Sequence, residues 1–264
     1  MSSLWQVALT ALAAIAAMMT SAWLISLYLR DASIVDLFWG LGFILAACIY
    51  FVESPAPTFR SYLVLSLITA WGLRLSAYIM WRRRGEGEDY RYREMRDRRP
   101  GNFSRRSLVT VFWLQALLLW AISAPLLPAL RAAEPRRLGW LDLLAVVFFG
   151  VGITFEVGGD WQLARFKSDP ANRGRVLDRG LWRYTRHPNY FGDAMVWWGL
   201  FLFAGAVGAW WTFYSPVLMT VLLVKVSGVA LLERGLVDRK PGYRGYVERT
   251  SAFLPWFPKD EGRG

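Results

Sequence analysis

The chain has 264 residues, 55% of them hydrophobic and 16% aromatic, with a formal net charge of +11. Uncharged apolar runs near the roughly 20 residues that cross a bilayer recur along it, which excludes an ordinary soluble domain. The one cysteine, Cys48, excludes an internal disulfide and a Cys-rich metal site. The basic balance comes without a recognition motif, so it reads as topology and attraction to anionic lipid rather than nucleic-acid binding.

Only helices and closed barrels span lipid, and these runs are too long and continuous for barrel strands. The expected fold is therefore all-α and polytopic. Seven spans are predicted within a single membrane domain covering 1–264, at about 4–29, 34–52, 62–81, 108–130, 138–155, 191–211 and 214–232. The first lacks a basic n-region and is too long for a signal-peptide h-region, so it is expected to be retained. Cys48, in the second, is expected to be a buried small hydrophobe. Lys and Arg concentrate at 82–107, 156–190 and 233–264, while the opposite side keeps Arg60, Arg131, Arg136 and Arg137. The positive-inside rule then gives an external N-terminus and a cytosolic C-terminus, as for a multi-pass protein of a bacterial inner membrane or its equivalent. A short helix is expected near 90–99, followed by a turn at Pro100-Gly101-Asn102. No internal repeat is visible, which argues against a transporter.

Ionisable groups at membrane depth point to function. Asp36 lies near the start of the second span, Arg74 inside the third, Lys225 inside the seventh, and Glu156 and Asp160 at the end of the fifth. Helical spacing puts Trp71, Arg74, Tyr78 and Arg82 on one face, Glu156, Asp160 and Lys167 on another, and Asn189, Asp193 and Trp197 on a third. The stretch Gly180-Leu-Trp-Arg-Tyr-Thr-Arg-His-Pro-Asn-Tyr-Phe-Gly-Asp193 holds the only histidine, His187. A polar cluster at that depth calls for a bound polar ligand. The three stripes are expected to line one cytosolic pocket suited to a large polyanion. Arginine supplies permanently charged forks for phosphates, and Trp161, Trp182, Tyr184 and Tyr190 supply faces for planar rings. No Gly-x-Gly-x-x-Gly turn, Walker loop or His-Glu-x-x-His occurs, and His187 has no partner at metal-ligand spacing. The residues alone leave a dinucleotide and S-adenosylmethionine both open.

Several of these segments resemble the DUF1295 group of the steroid 5-alpha-reductase superfamily. In the C-terminal half they are Asp160-Trp-Gln, Arg165-Phe-Lys167, Gly180-Leu-Trp and Thr185-Arg-His-Pro-Asn-Tyr-Phe-Gly-Asp193. Earlier, Ser33-x-Val-Asp36-x-x-Trp39-Gly40, Trp71-Gly-Leu-Arg74 and Gly87-Glu-Asp89-Tyr-Arg-Tyr92 fit the same group. So does the tail, Tyr243-x-x-Tyr246 and Arg249-Thr-Ser-Ala-Phe-Leu-Pro255. The resemblance implies a seven-span reductase that binds NADPH from the cytosol and reduces the 4,5 double bond of a 3-oxo steroid, or another enone lipid. Hydride goes to the beta carbon while an acid serves the ketone oxygen. It assigns Arg74, Tyr78, Asp160, Lys167 and Asn189 to the cofactor and Asp36 to catalysis. Arg82, Arg83, Asn102, Glu156, Arg173, Tyr184, Arg186, His187, Pro188, Asp193, Tyr243 and Tyr246 complete the expected cofactor set. A lipophilic substrate and membrane lipid are the expected partners, with no obligate protein partner. One departure stands out: the animal enzymes have a tyrosine where this chain has Trp71. Indole donates a hydrogen bond but supplies no proton at neutral pH. The catalytic candidates are thus Asp36, Trp71 and Tyr78, with the acid either Asp36 or another tyrosine that reaches in.

The Arg186-His-Pro-x-Tyr190 element also resembles isoprenylcysteine and phospholipid methyltransferases, which use S-adenosylmethionine. There His187 and Tyr190 would hold the methionine carboxylate or ribose, and Glu233 would be the tail acid.

Overall fold

The computed structural model describes residues 3–98, 101–135, 137–226 and 242–259. Their regular elements are all helices, with no strand among them. The chain divides into two compact units, Met1–Gly139 with Phe203–Thr212, and Trp140–Leu202 with Phe213–Gly264.

The first unit holds α1 (Leu4–Leu29), a 3-10 turn at Ala32–Leu37, α2 (Phe38–Val52), α3 (Phe59–Arg82), α4 (Tyr90–Asp97), α5 (Phe103–Ile122) and α6 (Leu126–Arg131). α1 and α3 each begin with a capping box, Ser3 with Gln6 and Thr58 with Ser61, which satisfies main-chain donors that lipid cannot. Indole N–H groups join α1 to α5. Trp23 donates to the Ser104 carbonyl at 2.8 Å, Trp113 to the Thr20 hydroxyl at 3.1 Å and Trp120 to the Ala8 carbonyl at 2.8 Å. α2 and α3 approach backbone to backbone. A Cβ on Gly40 would stand 2.2 Å from the Gly72 carbonyl oxygen, and one on Gly72 2.7 Å from the Gly40 oxygen. The fully buried Arg60 donates to the carbonyls of Pro135 and Arg137, at 2.8 and 3.3 Å, so its charge is not left bare.

The second unit holds α7 (Trp140–Ser168), α8 (Pro188–Gly205, of which Phe203–Gly205 are counted with the first unit), α9 (Tyr214–Val221) and α10 (Tyr243–Arg249). Glycines on α7 and α8 interlock. A Cβ on Gly192 would lie 2.4 Å from the Glu156 nitrogen and 2.5 Å from the Gly152 oxygen, and one on Gly199 2.9 Å from the Ala145 oxygen.

Five helices among the described residues are long and apolar enough to cross a membrane: Leu4–Leu29, Ala32–Val52, Phe59–Arg82, Phe103–Ile122 and Trp140–Ser168. The first three match their predicted spans closely. The fourth differs: it starts five residues before 108 and stops at Ile122 rather than near 130. Pro125 lacks an N–H and pushes Ala124 away from helix, so α6 is a separate short element. The fifth runs on to Ser168, which makes Glu156, Asp160 and Lys167 parts of one continuous helix. The predicted sixth span is the 18-residue α8, which starts with a polar turn. The predicted seventh is described only through Val226, and its remainder, with Glu233, lies outside the described residues. Cys48, expected to be buried, is exposed instead. The buried stripe of α2 runs through Gly40, Phe43, Ala46, Ala47 and Tyr50, and Cys48 falls off it.

Candidate functional site

In the first unit, the polar segment after α3 folds back onto the 3-10 turn before α2. Glu88 accepts from the Ala32 amide at 2.9 Å and is gripped by both forks of Arg96, at 2.8 and 3.1 Å. Arg83 donates to the Ser33 carbonyl at 2.5 Å, to Asp31 at 3.0 Å and to the Ser33 hydroxyl. Asp89 caps α4 by accepting from the Arg91 amide at 3.0 Å. These bonds bring α4 over Asp36.

Asp36 carries the centre of this cluster. One carboxylate oxygen accepts from the Tyr92 hydroxyl at 2.9 Å, the other from Arg91 at 3.1 Å. Tyr92 in turn accepts from the Gln115 amide at 3.2 Å, and the Gln115 carbonyl accepts from the Trp39 indole at 2.5 Å. Four elements therefore converge on one phenol that is 7% exposed. Burial, and then the Asp36 charge, push the Tyr92 phenol above its usual range. Burial opposes the Arg91 charge, but the Asp89 hydrogen bond and the Asp36 charge outweigh it and raise Arg91. Burial likewise opposes the Asp89 charge, yet its bonds to Arg91 hold it below the usual carboxylate range.

Asp36 thus accepts from Arg91 and from Tyr92 at once. Tyr92 was noted only as part of the Gly87–Tyr92 resemblance, and nothing in its local spacing ties it to Asp36. Gln115 was missed as well, although a lone carboxamide in an otherwise apolar span was a readable signal. Of the α3 stripe, Trp71 turns inward: it is 1% exposed and packs on Phe43 with ring centroids 5.8 Å apart. Tyr78 is half-buried, with the Arg82 guanidinium 5.7 Å from its ring centre. Arg74 is half-buried on the same helix. Asn102 is exposed at the residue before α5 and makes no capping bond. Arg83, expected at the cofactor, donates to the Asp31–Ser33 turn.

In the second unit, the glycine contacts set the register of α7 against α8. Gly159 lies under Pro188, where a Cβ would be 3.0 Å from its ring. This brings Asn189 to Asp160, Nδ2 to Oδ1 at 3.1 Å, joining the two predicted polar stripes. Glu156 and Asp160 are both buried, and Asp193 is half-buried one turn beyond Asn189. His187 is buried and stacks face to face on Tyr190, centroids 5.5 Å apart and planes 2° apart.

The tail wraps around the loop before α8. Thr185 donates to the Phe253 carbonyl at 2.9 Å, the Trp256 amide to the Tyr184 carbonyl at 2.9 Å, and the Tyr246 hydroxyl to the Trp182 carbonyl at 2.5 Å. Arg186 is buried and donates to the Val247 carbonyl at 2.9 Å and to the Thr250 carbonyl, closing the end of α10. Arg186 and Tyr246, both expected at the cofactor, donate to main-chain carbonyls. Tyr243 packs edge-on against Tyr246 with centroids 5.8 Å apart, and the Tyr184 ring meets Phe257 at 6.0 Å. Replacing Arg186 with Met is expected to loosen the tail by about 2–4 kcal/mol, since charge-assisted bonds are worth roughly 1.5–3 kcal/mol each. Limited proteolysis in detergent measures it: the tail of the variant should be cut at least tenfold faster than the parent's.

The second unit also holds a polar cleft. Lys167 and Arg173, both exposed, line a cleft of about 390 Å³ with Asp169, Asn172 and the Gly174 main chain. Two cations beside a glycine turn suit phosphate. The part-buried Asp160–Asn189 pair sets a carboxylate beside a carboxamide, whose oxygen accepts from the Tyr190 amide at 3.1 Å. No group of three or more His, Cys, Asp or Glu among the described residues is arranged to hold a metal.

Comparison with known proteins gives three results. A family model described as a protein of unknown function, DUF1295, matches residues 22–250. An uncharacterized protein of Schizosaccharomyces pombe, C594.04c, is 26% identical over 264 residues, covering 88% of this chain and 75% of that one. Methanethiol S-methyltransferase 1 of Bradyrhizobium diazoefficiens is 28% identical over 159 residues, covering 58% of this chain and 52% of that enzyme. No solved structure matches.

Proposed function

We propose, from the premise that this chain belongs to the DUF1295 family, that it is a membrane enzyme that reduces a carbon–carbon double bond conjugated to a ketone in a lipophilic substrate. NADPH is the reductant, and the 4,5 double bond of a 3-oxo steroid is the type substrate. The observation that carries this reading is the Tyr92 hydroxyl held against Asp36. Reduction of an enone needs an acid where charge develops on oxygen, and Trp71 cannot be that acid. Tyr92 supplies the missing proton: its hydroxyl, held by Asp36 and Arg91 at rest, turns from Asp36 to the ketone oxygen.

NADPH, when bound, supplies the hydride. The chain's own residues do the rest. Lys167 and Arg173 hold phosphate, and Asp160 and Asn189 orient the nicotinamide end. Arg74 and Tyr78 keep their assignment to the cofactor through the family resemblance. The seven-span arrangement, with an external N-terminus and a site open to the cytosol, belongs to the same proposal. The apolar substrate and surrounding lipid enter from the bilayer.

The Bradyrhizobium relative favours a second reading, transfer of a methyl group from S-adenosylmethionine, with the stacked His187 and Tyr190 at the cofactor. Methyl transfer to a thiol or carboxylate builds no negative charge on a ketone oxygen, so it gives the Tyr92–Asp36 pair no task. Calorimetry on detergent-purified protein separates the two. Binding of NADPH at one per chain, weaker binding of NADH and none of S-adenosylmethionine is the expected pattern. The reverse preference would transfer the assignment to the methyltransferase.

A further inference from the structure

An indole N–H only donates, which fixes the Gln115 carboxamide: its oxygen faces Trp39, at 2.5 Å, and its NH2 faces Tyr92, at 3.2 Å. The usual ambiguity of amide orientation is absent here. Because Gln115 donates to Tyr92, the phenol's own proton points to Asp36, at 2.9 Å. We propose that Trp39 and Gln115 form a one-way hydrogen-bond relay that keeps an N–H donor on the Tyr92 oxygen and so stabilises the phenolate that appears when Tyr92 gives up its proton. Neither residue touches substrate; both are positioning residues.

The proposal takes its chemical purpose from the reductase reading. As hydride reaches the beta carbon, the electron pairs of the enone shift onto the ketone oxygen. The O–H bond of Tyr92 breaks and its proton joins that oxygen. The negative charge left on Tyr92 stands beside the Asp36 carboxylate, whose charge Arg91 balances at 3.1 Å, and it meets the Gln115 N–H already in place, which is preorganised stabilisation of developing charge. Water then returns a proton to Tyr92, and the enol rearranges to the saturated ketone, so one hydride and one proton are consumed.

The test places a trifluorotyrosine at position 92 by suppression in the full-length protein. Its phenol ionises at a pH where the natural tyrosines stay protonated, so absorbance reads that one ring without turnover. Gln115→Leu is expected to raise its ionisation midpoint by about one pH unit, a tenfold change in the equilibrium. Trp39→Phe, which keeps a ring but frees the amide to turn over, is expected to raise it by a smaller amount. In the Gln115→Leu background, Trp39→Phe should add nothing. Circular dichroism checks that each variant is folded. An unmoved midpoint in Gln115→Leu, or full additivity of the two changes, would overturn the relay. Because absorbance requires no activity, failure of the protein to oxidise NADPH with progesterone would count against the reductase reading alone.

Discussion

Tyr92→Phe is expected to lower turnover of an enone lipid by about 10²- to 10⁴-fold while NADPH binding stays within twofold of the parent. The loss corresponds to roughly 3–5 kcal/mol of transition-state stabilisation. The change removes one oxygen and leaves the ring, which is packed and only 7% exposed, so the fold should survive. Asp36 keeps Arg91 at 3.1 Å and is not left as an uncompensated charge. Gln115 loses its acceptor at 3.2 Å, a cost of about 1–3 kcal/mol in stability. That cost appears in a melting curve and not in the chemical step. Single-turnover NADPH oxidation followed by absorbance separates the two. A variant that reduces the enone at the parental rate would move the acid to another residue.

The sequence made most of the long helices readable and left their partners unreadable. Hydropathy delimits α1, α2 and α3 to within a few residues, because in lipid a helix must satisfy its own backbone along the whole apolar run. The end of α5 was misplaced because Ser123-Ala-Pro125 is weakly polar, and a hydropathy reading passes over the proline that stops the helix. Helical periodicity put Asp160 and Asn189 each on a polar stripe of its own helix, and the two side chains bond. The same arithmetic assigned Trp71 to the stripe of Arg74 and Tyr78, but Trp71 sits at the α2–α3 contact, where large apolar area outweighs its one N–H.

Charge was the least informative signal. Arg83, Arg91, Arg96 and Arg186 look alike in a basic segment. The structure gives them separate tasks: binding the turn before α2, orienting Asp36, holding Glu88 and closing α10. An arginine's task depends on which carbonyl or carboxylate lies within reach, and that is set by the path of the chain rather than by neighbours in sequence. Tyr92 was hidden for the same reason, since its partner is 56 residues away.

Gly192→Ala should produce the largest structural effect in the second unit. The new Cβ would lie 2.4 Å from the Glu156 nitrogen, 2.5 Å from the Gly152 oxygen and 2.8 Å from the Glu156 Cα. All three are main-chain atoms of α7, so no side chain can swing aside, and α7 and α8 must separate. Overpacking costs about 1–3 kcal/mol or somewhat more, which lowers Tm by roughly 3–10 °C. Separation also stretches the Asn189–Asp160 bond, now 3.1 Å, so NADPH affinity should fall at least tenfold. Gly150→Ala is the control: it lies in α7 too, but nothing stands within 4 Å of its would-be Cβ. There alanine should leave binding unchanged and raise stability by up to about 1 kcal/mol through helix propensity. Differential scanning and calorimetry on both variants read the contrast. Equal behaviour of the two would mean that α7 and α8 do not meet through their glycines, and the Asp160–Asn189 pair would then lose its physical support.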